Sequence, residues 1–157
     1  MQKILKIVLV VIVCVTLGYL SGTVTRDSIT TWYPTLNKPV FNPPNWIFAP
    51  VWTLLYVLMG IAAGLVWTSN SDAKTVKKAL GFFAVQFGLN ALWSYLFFGL
   101  HNPLLALVEI VLLWLVIFET YRQFNKIDKI AGLLLIPYIA WVSFAIILNA
   151  SIWWLNK

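Results

Sequence analysis

Three apolar stretches of this chain each combine aromatic side chains with a polar group. Gln86, Asn90, Trp93 and Phe97 fall at i, i+4, i+7 and i+11, one stripe of a helix. Trp141, Phe144, Ala145 and Leu148 make a second stripe, which Asn149 continues. Trp52, Tyr56, Met59, Gly60, Ala63 and Trp67 recur at helical spacing in a third. Indole and phenol rings with a few amides at similar depth suit an apolar pocket with a small number of orienting donors and acceptors. The plainer reading is packing: amides join helices at roughly 0.6 kcal/mol per contact, and an aromatic stripe is more often core than binding site. Gln86 fits the packing role as well as any other. Asn90, beside Trp93, fits the lining of a cavity.

Other chemistry is poorly provided for. Glu109 and Glu119 lie in the fourth apolar stretch, where an ionisable group marks function by default. Both stand within about two turns of a helix end and so can reach water. His101 is the only histidine and Cys14 the only cysteine. That excludes a bis-histidine haem site, a Cys/His metal cluster and an intrachain disulfide, and no metal is expected. No phosphate-binding glycine loop, HExxH or GxSxG pattern occurs, which argues against hydrolytic and phosphoryl-transfer enzymes.

The elements that must position these residues are membrane spans. Hydrophobic residues make up 61% of the 157 and charged ones 10%, with a mean hydropathy of +0.87, far from the composition of soluble domains. The fold class expected is an all-α integral membrane protein, a single domain built as a bundle of five transmembrane helices. The spans fall at about 4–24, 46–68, 79–98, 103–121 and 130–155, with a lid loop at 25–45. The first run follows Lys3 and Lys6, as a signal peptide would, but no small-x-small cleavage site comes after it, so it reads as a span. Pro103 suits the first turn of the fourth helix, and Pro137 should kink the fifth. Gly18/Gly22, Gly60/Gly64 and Ala84/Gly88 each allow close helix approach, without indicating which of them serves a dimer.

The net charge of +6 does not point to nucleic acid. Lys3, Lys6, Lys74, Lys77, Lys78, Arg122, Lys126 and Lys129 fall on one side of five spans, and Arg26, Lys38 and Lys157 on the other. That bias predicts a cytoplasmic N-terminus and a C-terminus outside. The lid loop then faces outward. Its prolines, Pro34, Pro39, Pro43 and Pro44, stiffen it and predict an extended, non-helical segment up to Asn45. Trp32, Tyr33 and Phe41 stud it, either as part of a cavity lid or as anchors in the headgroup region.

Taken together, these segments resemble the tryptophan-rich sensory protein/translocator protein family, which includes the mitochondrial peripheral benzodiazepine receptor. The matching stretches are WYPTLNKPVFNPP at 32–44, PVWTLLYVLMG at 50–60, QFGLNALWSYLFF at 86–98, NPLLALVEI at 102–110 and LLIPYIAWVSFAIILN at 134–149. They cover nearly the whole chain apart from the first helix and the last residues. The resemblance implies a five-helix bundle, usually a homodimer, with a cavity closed by the first long loop. It implies porphyrin ligands such as protoporphyrin IX or haem, and benzodiazepine-receptor-type compounds, with no cofactor required. By resemblance, Tyr33, Pro44, Trp52, Tyr56, Asn90, Trp93, Trp141, Phe144 and Ala145 stand at pocket-lining positions. Trp52 and Trp141 also match positions linked to light-dependent porphyrin degradation in some bacterial relatives. Lys38 is placed to attract a propionate at the lid.

One departure matters. Sterol-binding relatives carry a Tyr and a basic residue after the Leu-Asn pair of the last helix, whereas here Leu148-Asn149 leads to Ala150 and Trp153-Trp154. Leu115, Tyr121 and Lys126 satisfy only the loose form of that pattern, and sterol binding is not expected as the main role. The alternative to a receptor is a transporter of porphyrins or other small hydrophobic molecules, for which neither an inverted repeat nor paired broken helices are visible. The partners expected are the lipid bilayer, a porphyrin and a second copy of the chain. Short termini without a presequence favour a bacterial plasma membrane.

Overall fold

A chain crossing lipid must satisfy its own backbone polar groups, and a run of Leu, Ile, Val and Trp can do so only as helix. The computed structural model, which describes residues 1–157, is all-helical, with five helical stretches long and apolar enough to span a membrane. The first span joins α1 (Gln2–Ser21) to a short α2 (Thr23–Ile29). The second is α3 (Asn45–Trp67) and the third α4 (Ala73–Ser94), which runs into one turn of π-helix at Tyr95–Gly99. The fourth is α5 (Pro103–Ile127), and the fifth joins α6 (Lys129–Leu134) to α7 (Ile136–Leu155).

Several helix ends differ from the sequence expectation. The first span does not stop at residue 24 but continues through α2 into the region expected as lid. Within the lid, Tyr33–Thr35 forms a 3-10 turn rather than extended chain. The helix expected from 79 begins at Ala73, because the Asp72 carboxylate accepts from the Thr75 amide at 3.1 Å and the Thr75 hydroxyl at 2.6 Å. The Thr75 hydroxyl first, then its amide, lower the Asp72 pKa. Helix α5 runs past 121 to Ile127. The kink expected at Pro137 is a break: α6 ends at Leu134, α7 restarts at Ile136, and Pro137 falls in its first turn, where no internal N–H is missed.

Helix α1 packs on α3 through glycine. A Cβ at Gly60 would lie 2.5 Å from Val11 Cα, and one at Gly64 would lie 2.8 Å from Ile7 Cα. The two backbones therefore touch at this end. Further along, the Tyr56 ring lies against Gly18, and the helices part beyond it.

The π-turn has a packing consequence. A wider turn changes the angular advance per residue, and here three successive residues, Leu96, Phe97 and Phe98, are all buried. The turn closes with Leu100 N–H on Tyr95 O at 2.8 Å, and His101 leaves it in the left-handed region at φ 53°. Phe97 and Phe98 meet Trp32 of the lid edge to face, at 5.6 and 6.5 Å, and Tyr33 at a tilt, at 6.3 and 5.7 Å. A second hydrophobic cluster is thus assembled from lid, π-turn and α7.

Candidate functional site

Beneath the lid lies a cavity of about 550 Å³, within the size range of small-molecule sites. Its walls come from α1–α2, the first half of α3, the end of α4 with the π-turn, and α7. Tyr33, Trp52, Tyr56, Trp93, Trp141, Phe144 and Ala145 all line it. The rings are mutually braced: Trp52 lies 5.7 Å from Tyr56, Trp93 5.2 Å from Phe97, Trp141 5.5 Å from Phe144 and 6.3 Å from Phe48. The Trp93 indole N–H donates to Asn149 Oδ1 at 3.0 Å, and the Asn149 amide donates to the Pro103 carbonyl at 2.8 Å. Trp93 is thereby fixed in orientation, stacked on Phe97 within the cavity wall.

Two residues expected at the cavity are not on its surface. Pro44 is exposed and precedes α3 as its N-cap, with φ −57° and ψ 145°. Asn90 lies behind Tyr56 and is 3% exposed. Its Oδ1 accepts from the Tyr56 hydroxyl at 3.1 Å and its amide donates to the Tyr138 hydroxyl at 2.7 Å. Tyr138 in turn donates to Gln86 Oε1 at 2.7 Å. The amides of α4 are therefore spent on α3 and α7, in a fully buried network that closes the inner end of the cavity. A buried amide left without such partners would cost about 1–3 kcal/mol.

The lid is held at several points. Trp32 stacks on His101 with ring centres 4.2 Å apart, and the Ser28 hydroxyl donates to the Phe98 carbonyl at 2.6 Å. Tyr33 is 2% exposed, and its hydroxyl donates to Asn42 Oδ1 at 2.6 Å. Burial pushes the Tyr33 phenol up to about 12. Phe41 meets Phe144 at 6.2 Å. Lys38, expected to attract a propionate at the lid, is instead engaged by the lid itself: its ammonium donates to the carbonyls of Tyr33 and Leu36, both at 2.9 Å.

Glu119 pairs with Arg122 at 2.9 Å and accepts from Gln123 at 2.6 Å. Glu109 does not reach water as expected. It is 7% exposed, and both carboxyl oxygens lack a protein partner.

The wall built by α1–α2, with Gly18, Gly22, Thr25 and Arg26, was not legible as part of the site, and neither was Phe48. The spacing of Gly18 and Gly22 was the one available signal. Among the lining residues, the exposed ones are Tyr19, Arg26, Asn45, Ala49 and Thr53. All belong to α1–α2 or the start of α3, so the cavity meets the outside through the fissure between these two spans.

Residues 10–155 match the TspO/MBR family. The chain is 43% identical over 155 residues to the tryptophan-rich protein TspO of Chlorobaculum tepidum, covering 99% of this chain and 98% of that protein. It is 39% identical over 125 residues to the tryptophan-rich sensory protein of Cereibacter sphaeroides, covering 80% and 77%. It is 36% identical over 141 residues to the translocator protein of Bos taurus, covering 89% and 83%.

Proposed function

This chain belongs to the TspO/MBR family, and on that premise we propose that it is a membrane-embedded receptor for flat aromatic ligands, of which protoporphyrin IX and haem-related tetrapyrroles are the first candidates. Benzodiazepine-receptor-type compounds fit the same description. The observation that carries this reading is the cavity of about 550 Å³ walled by Trp52, Tyr56, Trp93, Trp141 and Phe144 under a braced lid. Indole and phenol faces stack on a macrocycle, and burial of both supplies the affinity. Asn90 acts in this reading through Tyr56, whose ring it positions.

The closed inner end favours a receptor over a conduit. A transporter needs a second opening, and the Tyr56–Asn90–Tyr138–Gln86 network occupies that route. Light-dependent degradation of the bound porphyrin is part of the proposal. Trp52 and Trp141 are the indoles that would exchange electrons with the excited macrocycle, directly or through oxygen species.

The setting is a bilayer, most simply a bacterial plasma membrane, with the lysine-rich side cytoplasmic and the lid outside. A homodimer is supported by the outer face of α4, where Gly81 and Gly88 have open space in front of them.

The test is quenching of tryptophan fluorescence by protoporphyrin IX in the dark. Saturable quenching that weakens in Trp52→Phe and Trp141→Phe supports the site. Quenching that never saturates removes porphyrins as ligands.

A further inference from the structure

The cavity wall contains one charged residue, Arg26. It stands on α2 at the fissure, exposed, with apolar and aromatic surface behind it. Its guanidinium is already held in place: one N–H donates to the Tyr19 carbonyl at 3.1 Å, and the cation lies 4.2 Å from the centre of the Tyr19 ring. No carboxylate pairs with it, since the molecule's single ion pair is Arg122 with Glu119. A guanidinium has five N–H donors in a planar fork, so most of this one faces the fissure unspent. Two neighbouring hydroxyls are committed elsewhere, Ser21 to the Gly18 carbonyl at 3.0 Å and Thr53 to the Ala49 carbonyl at 2.8 Å, whereas the Thr25 hydroxyl beside Arg26 lines the same wall. Lys38, the other cation near the lid, is committed as well.

We infer that Arg26 is the anion-recognising residue of this cavity, and that its ligands are amphipathic acids whose flat apolar body lies among the tryptophans while one carboxylate meets the guanidinium at the fissure. This rests on the receptor reading of the same cavity. A planar fork that is pre-oriented by Tyr19 binds a carboxylate bidentately with little ordering cost. The apolar depth of the cavity and the single charge at its rim select molecules with one polar end, not polyanions. The bilayer offers a competing source of anions, because a lipid phosphate at headgroup depth would satisfy the same donors.

The experiment uses paired probes that differ only in the acid group, read by tryptophan quenching in nanodiscs of neutral phosphatidylcholine. Pyrenebutyrate is compared with pyrenebutanol, and protoporphyrin IX with its dimethyl ester. The acid of each pair should bind about tenfold more tightly, the order expected of a charge-assisted hydrogen bond. Arg26→Gln should abolish that preference and leave the alcohol and the ester unchanged, which also shows that the cavity remains folded. An undiminished acid preference in Arg26→Gln overturns the assignment. Equal binding of acid and neutral probe by the unaltered protein overturns it too, while leaving the receptor reading intact. Failure of all four probes to quench saturably removes the receptor reading and this inference with it. In nanodiscs of anionic phosphatidylglycerol the preference should persist. Its disappearance there would assign the Arg26 site to the lipid headgroup and overturn the ligand assignment.

Discussion

Asn37 and Asn156 hold each other reciprocally: the Asn156 side-chain amide donates to the Asn37 carbonyl at 2.8 Å, and Asn156 Oδ1 accepts from the Asn37 backbone N–H at 2.9 Å. Asn156 imitates the edge of a strand and ties the lid to the end of α7. Both groups are exposed, so the tie is weak in absolute terms, about 1 kcal/mol for the pair. Asn156→Ala should therefore leave thermal stability nearly unchanged and speed hydrogen exchange at the Asn37 amide, with faster ligand release. Unaltered exchange would mean that Trp32, Tyr33, Lys38 and Phe41 hold the lid without this tie.

The buried network predicts an order of costs. Tyr138→Phe strands two amides, Asn90 and Gln86, and should destabilise by about 1–3 kcal/mol. Tyr56→Phe removes only the longer bond to Asn90 and should cost less. Thermal unfolding in one detergent compares them; equal midpoints for the two variants would refute this account of the network.

The glycines of α3 and α4 should behave oppositely. Gly60→Ala places a Cβ against the Val11 backbone, which cannot swing aside, and should cost roughly 1–3 kcal/mol. Gly88→Leu meets open space within one copy. It should spare the stability of the monomer and disrupt the proposed dimer, as size-exclusion with light scattering would report. A dimer that survives Gly88→Leu places the interface elsewhere.

Tyr33 supplies a pH dependence. Its folded pKa of about 12 lies above the ordinary 10.0 because burial penalises the phenolate. Its contribution to lid closure is thus complete below pH 10.0 and is lost as pH rises through about 12. Ultraviolet titration of the protein against Tyr33→Phe should show one phenol ionising late, accompanied by faster exchange in the lid. A difference spectrum centred at the ordinary tyrosine value would contradict the burial argument.

The photochemical proposal predicts that bleaching of bound protoporphyrin IX under light slows in Trp52→Phe and Trp141→Phe at saturating ligand. Trp67→Phe, far along α3, should have no effect. Absorbance under illumination checks this, and equal bleaching in all variants would separate binding from degradation.

The class and number of spans were legible because apolar length and helical period are local properties of the chain. The aromatic stripes were legible for the same reason, and Trp52, Trp93, Trp141 and Phe144 do share one cavity. Helix ends were less so. Lys74, Lys77 and Lys78 read as a polar connection, yet Asp72 caps a helix that includes them, and a charged first turn looks like a loop by composition alone.

Depth was beyond the sequence. A stripe says which residues share a face, but Asn90 is withdrawn from the cavity because the Tyr56 and Tyr138 hydroxyls reach it from two other helices. Lys38 and Arg26 are both basic residues on the same side of the spans. Only the tertiary structure decided that the first is spent on lid carbonyls while the second faces the fissure. The reason is physical. Hydropathy and spacing are unchanged by which helices are neighbours, whereas a cavity, its open edge and its one charge exist only once α1–α2 and α3 are set side by side.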